Sequence, residues 1–171
     1  LAVIMSVYEL GEEEDKLLLK INGMEGTIEE KSNQMTAAGI LDRYSRIHNC
    51  YAALAEYDSE ALKRGLFLQW YSMVEPPFLS GIHVNPLSEK RIIDILDHRI
   101  SVNEFDAELR SMVSYYSAWK FVFDRFHASR NLMRLLNSPL THDAVMWQLR
   151  HSDFAGRGQM GEYWLSIISL D

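Results

Sequence analysis

From Phe105 to Phe126 large apolar side chains return every three or four residues, and no other feature of the chain limits its fold as tightly. Phe105, Leu109, Met112, Tyr116, Trp119, Phe123 and Phe126 fall on one side of a helix, while Glu104, Glu108 and Ser111 lie off that stripe. Such a row is stable in water only when other helices cover it. The same period recurs from Thr36 to about Tyr57, where Ile40, Leu41, Tyr44, Ile47, Tyr51, Leu54 and Ala55 share a side opposite Asp42, Ser45, Arg46, Asn49 and Glu56. The spacing therefore predicts a mainly α fold, an irregular bundle of about six helices in a single domain spanning 1–171.

Punctuation residues set the expected boundaries. Asp58 is placed to cap a helix running to about Val74, and Phe67, Leu68 and Tyr71 add bulk outside its stripe of Leu62, Leu66, Trp70 and Met73. A helix apolar nearly all round belongs at the centre of a bundle or on a partner surface. Residues 75–87 read as a Pro- and Gly-bounded loop. Ser88 with Glu89 is expected to open the next helix, which faces inward through Ile92, Ile93, Leu96 and Ile100, and Asn103 to cap its successor. Beyond His127 the apolar side changes to Leu132, Leu135 and Leu136, which predicts a kink, a break or burial on two faces. Ser138 and Pro139 resemble a helix start, with Leu140, Ala144, Trp147, His151 and Phe154 as the inward line.

The ends are less legible. In residues 1–35 the short runs Leu1–Leu10 and Leu17–Ile21, split by Gly11 and the acidic Glu12, Glu13, Glu14 and Asp15, fit a hairpin or two short helices equally well. Tyr163, Trp164, Leu165, Ile167, Ile168 and Leu170 fit a strand or a docked terminal helix, so short extended segments are allowed at both termini.

Composition bounds the function classes. With 47% hydrophobic and 24% charged residues among 171, the chain is too apolar for disorder and has no run of about 18 apolar residues for a membrane span. A net charge of -7 repels a polyphosphate backbone, so nucleic acid is not expected as a partner. The single Cys50 allows neither an internal disulfide nor a zinc cluster, which fits a reducing compartment and points to the cytoplasm. The first residues lack a basic leader, and a start at Leu1 leaves room for a trimmed upstream segment.

No motif specifies a reaction. Gly156, Gly158 and Gly161 match G-x-G-x-x-G but follow a helical pattern near the chain's end, where no βαβ unit can form, and are expected to be a flexible linker. Asp94, Asp97 and His98 have the spacing of metal ligands on adjacent turns, yet lie on a face with Lys90 and Arg91 and read as a solvated surface. No metal and no cofactor is expected.

His127, Arg130 and Arg134 continue the stripe of Tyr116, Trp119 and Phe123, and no acidic residue intervenes between Asp124 and Asp143. Guanidinium groups hold carboxylates or phosphates bidentately, and a neighbouring imidazole can share the task. Basic residues at a helix end can equally serve the dipole or snorkel over apolar surface. His48, near Tyr44 and Tyr51, could meet His127 if their helices pack together. A tentative pocket for an anionic ligand is thus His48, Tyr116, His127, Arg130 and Arg134. Phe78, Leu79, Ile82 and His83 form a tentative interaction loop, either a lid on the bundle or an anchor for another protein.

The expected role is a non-enzymatic protein–protein interaction module, meeting another protein or a second copy of itself. The alternative is a small-molecule binder or enzyme that takes an anionic ligand in the His/Arg pocket.

Overall fold

The computed structural model describes residues 4–170, in which eleven helices and no strand occur and 71% of the chain is helical. They are α1 (Val7–Asn22), α2 (Ile28–Ala37), α3 (Ile40–Leu54), α4 (Ser59–Val74), α5 (Pro77–Ser80), α6 (Pro86–Ser101), α7 (Ala107–Tyr116), α8 (Phe121–Asp124), α9 (Arg130–Leu136), α10 (His142–Arg150) and α11 (Gly158–Ile168). The expectation of a mainly α bundle holds. The count of about six does not, because long patterns divide and both termini are helical where described.

Helix α4 is the axis. Every residue from Ala61 to Trp70 is buried, and α3, α6 and α11 pack on it. Asp58 caps it as its position suggests, accepting from the amides of Glu60 and Ala61 at 2.8 and 3.1 Å. Gly65 lets α3 and α6 approach: a Cβ there would press on Ile92 of α6 and Tyr51 of α3.

At the N-terminus, two reciprocal capping boxes settle the choice between hairpin and helices. Ser6 with Glu9 starts α1, and Thr27 with Glu30 starts α2. The acidic run that splits the two apolar runs lies inside α1, with Glu14 turned into the core. Residues 1–3, part of the first apolar run, are outside the described residues. The Thr36–Tyr57 pattern begins its helix only at Ile40, because Gly39 turns left-handed (φ 67°) between α2 and α3.

The Phe105–Phe126 stripe is not one helix. Past Tyr116 the chain tightens into turns with three-residue bonds, among them Trp119 N to Tyr116 O and Val122 N to Trp119 O. Three-residue spacing keeps side chains in register, so Leu109, Met112, Tyr116 and Phe123 remain buried across the break.

Three helix starts differ from expectation. Asn85 with Pro86 opens α6 in place of Ser88 and Glu89. Asp106 caps α7, while Asn103 stands just beyond α6 with a left-handed φ of 56°. Thr141 caps α10 in place of Ser138. Each true cap is an Asn, Asp or Thr whose oxygen meets the amide two or three residues on. Of the inward line expected here, Phe154 is buried and Leu140 half-buried, while Ala144, Trp147 and His151 face water and α10 buries Val145, Met146 and Leu149 instead.

Candidate interaction surface

The residues of the tentative anion pocket separate into two environments. His48 on α3 is sealed in the core, its Nε2 3.1 Å from Gln69 Oε1 on α4, and burial pulls its pKa down to about 4, so the ring stays neutral. Tyr116 is sealed too, stacked on Trp70 at a centroid distance of 4.5 Å, and burial pushes its phenol far above the usual range. His127, Arg130 and Arg134 are all exposed. The enclosed five-residue pocket is not formed; only the basic half reaches solvent.

That basic half is held by a contact that the sequence hides. Asp97 of α6 accepts from the Leu132 amide at 2.8 Å and from the Asn131 side chain at 3.0 Å. Ser129, in the N-cap position of α9, makes no capping bond, so Asp97 takes its place from another helix. Leu132 is thereby seated in the core, and Arg130 and Arg134, one turn apart, point outward. Asp97 thus belongs to the helix packing and not to the solvated face expected for Asp94, Asp97 and His98.

Beside Arg134 runs a cleft of about 350 Å³ between the end of α6 and α9, walled by Ile100, Phe105, Asn131, Leu135 and Ser138. Neither Arg130 nor Arg134 has an ion pair among the described residues, whereas Arg125, nearby in the chain, is taken by Glu89.

The tentative interaction loop also divides. Ile82 is fully buried, its amide held by the Ser80 hydroxyl, and Gly81 turns left-handed (φ 74°) where a Cβ would collide with Ile40 and crowd Ile21 and Met35. Phe78, Leu79 and His83 face outward.

Two features escaped sequence reasoning. One is an ionic clasp joining α4, α7 and the turn before α11: Arg157 bridges Glu60 and Glu108, and Lys63 bridges Glu108 and Asp106. Burial opposes ionisation of Glu108, but bonds from Arg157 and Lys63 outweigh it and hold the carboxyl down at about 2. No local spacing could signal partners this far apart. The other is the packing of Gly158 and Gly161, which are buried in α11 and are no linker. At Gly158 (φ 62°) a Cβ would collide with the Glu14 carboxylate, and at Gly161 with the Phe154 carbonyl.

A second groove, about 480 Å³, lies between α7 and α10 along Tyr115, Trp119, Leu140 and Val145. Among the described residues no cluster of His, Cys, Asp and Glu could hold a metal ion, and no helix is long and apolar enough to cross a membrane. No protein-family model, curated protein or solved structure matches the chain.

Proposed function

We propose that this chain is a non-enzymatic protein–protein interaction module and that its partner presents an acidic segment to the surface of α9. One observation carries the reading: in a chain of net charge -7, Arg130 and Arg134 stand exposed and without an ion pair among the described residues, Arg134 beside a cleft with an apolar wall, with His127 exposed just before them in sequence. Elsewhere most cations are engaged. Lys16, Arg43, Lys63, Arg64, Lys90, Arg91, Arg125 and Arg157 are ion-paired, and Arg99 bonds the carbonyls of Ala55 and Glu56. Lys20, Lys31, Arg46, Arg110 and Lys120 also lack ion pairs among the described residues, but they are dispersed over α1, α2, α3, α7 and the start of α8.

The chemistry favours a carboxylate-bearing peptide. Two arginines a turn apart offer bidentate donors, while Ile100, Phe105 and Leu135 offer an apolar anchor point. The anionic small-molecule reading loses the enclosure it needs, since His48 and Tyr116 cannot reach the same ligand.

The test is fluorescence anisotropy with a labelled peptide of Asp and Glu interspersed with Leu. Binding is expected to weaken with added salt and to fall about tenfold or more in Arg130→Glu/Arg134→Glu, with Lys20→Glu/Lys31→Glu binding as the unmodified chain does. Equal binding by the charge-reversed α9 protein would overturn the proposal. So would preference for a single-stranded oligonucleotide of equal charge, or sedimentation showing that only a second copy occupies the surface.

A further inference from the structure

Glu14 is the most deeply buried carboxyl group among the described residues, on α1 with about 1% of its surface exposed. Its Oε2 accepts from the Gln159 amide at 3.1 Å, at the first turn of α11. Arg157, in the N-cap position of that helix, makes no capping bond, so Glu14 does for α11 what Asp97 does for α9. Water is kept out by backbone. Gly11 of α1 lies against Gly158, and a Cβ added to Gly158 would occupy the place of Glu14 Oε2.

The surroundings do little for a charge on Glu14. On its own helix the near charge is Asp15, which repels it. From α3 come two phenols: Tyr44, which donates to Gln159 Oε1 at 2.6 Å, and Tyr51, whose hydroxyl lies beside Glu14 and Arg64 and favours the Glu14 charge. From α4 comes Arg64, but its donors go to Glu60 and to the Val7 carbonyl. From the α11 side, Gln159 is uncharged and Arg157 is committed to Glu60 and Glu108. Glu14 Oε1 and the Tyr51 hydroxyl are left together as buried polar atoms without partners. The phenol can pair with Oε1 in either state, as donor to the carboxylate or acceptor from the acid, but no cation pairs with Glu14 among the described residues, so protonation removes an uncompensated buried charge while Oε2 keeps the Gln159 amide.

We propose that the docking of α11 onto α1 is governed by the proton on Glu14: the neutral acid locks the two helices together, and its loss on opening lets α11 swing away. The direction of the titration agrees, because burial pushes the carboxyl up to about 8 against the stabilising Gln159 amide, Arg64 charge and Tyr51 hydroxyl. In the opened form the carboxyl is in water and ionises near 4.5. Between these values the closed form binds the extra proton. Opening therefore becomes easier as pH rises from about 4.5 to about 8, by up to tenfold per pH unit, and levels off above.

Met160 on α11 is fully buried and reports this motion, with Leu66 on α4 as the reference. The experiment places Met160→Cys, or separately Leu66→Cys, in a Cys50→Ser background and measures thiol labelling, divided at each pH by the rate of a free model thiol. The opening constant at position 160 is expected to climb from pH 5 to 8 and to exceed that at position 66 at every pH, because global unfolding, which also frees Glu14, follows the same linkage from a lower base. Adding Glu14→Gln, which keeps the amide acceptor but cannot ionise, is expected to flatten the climb. A slope unchanged by Glu14→Gln, or an opening constant at position 160 no larger than at position 66, would overturn the proposal. The infrared carbonyl band of the unmodified chain provides a second reading that needs no variant. One buried protonated carboxyl is expected to persist at pH 7, and its absence there would also overturn the proposal.

Discussion

The first turns of α1 and α11 solve one problem by opposite means. At α1, Ser6 and Glu9 close a reciprocal box three residues long, and both partners are exposed. At α11 the capping position holds Arg157, and the amide of Gln159 is met by a carboxyl group 145 residues away in sequence. Helix α9 follows the second pattern, with Asp97 supplying what Ser129 does not. A local cap specifies where a helix begins, whereas a cap from another helix also specifies where it must sit. The elements of the second kind are those that carry or support the proposed functions, since α9 presents Arg130 and Arg134 and α11 closes over Glu14.

The contrast can be broken most directly at Gly158. Gly158→Ala adds a left-handed strain and a collision with Glu14, and is expected to cost about 3 kcal/mol in urea denaturation. A cost under about 1 kcal/mol would mean that α1 and α11 are not held closely. Next comes Arg157→Ala, which frees Glu60 and Glu108 from one of their two cationic partners and is expected to cost about 2 to 3 kcal/mol. Its signature lies in acid. Because the folded pKa of Glu108 is lowered, its contribution is complete above about 4.5 and is lost as pH falls towards about 2. The variant should show a shallower acid limb in a pH series of melting temperatures.

Asp97→Ala should cost about 1 to 2 kcal/mol by loss of a cap, concentrated in faster hydrogen exchange at Leu132, with the amides of α4 still protected. It should also weaken acidic-peptide binding without removing a contact, because α9 is no longer held in place. The smallest effect is expected from Ser6→Ala, about 1 kcal/mol or less, confined to fraying of the first turn of α1 and read by exchange at the Glu9 amide. Equal global destabilisation by Ser6→Ala and Asp97→Ala would erase the distinction between the two kinds of cap.

The central place of α4 was legible because its apolar side chains cover several faces, and Asp58 marked its start correctly. The two N-terminal boxes were legible in principle: Ser6 and Glu9, and Thr27 and Glu30, stand at the diagnostic spacing, masked by the acidic run that follows the first. The break after Tyr116 was not legible, because three-residue turns preserve the side-chain direction that a continuous helix would give. The tentative pocket failed for a related reason. Periodicity puts Tyr116 and His127 on one stripe but does not say that the chain changes course between them, leaving one sealed and the other in water.

Hydrophobic period and local caps, both written within a few residues, determined that this protein is a bundle of helices and where several of them start. The docking of α9 and α11, the ionic clasp, the state of Glu14 and the exposure of Arg130 and Arg134 were decided only when distant segments met. A carboxylate's role depends on the water it loses and the amides it gains, and neither is fixed until the tertiary structure closes around it.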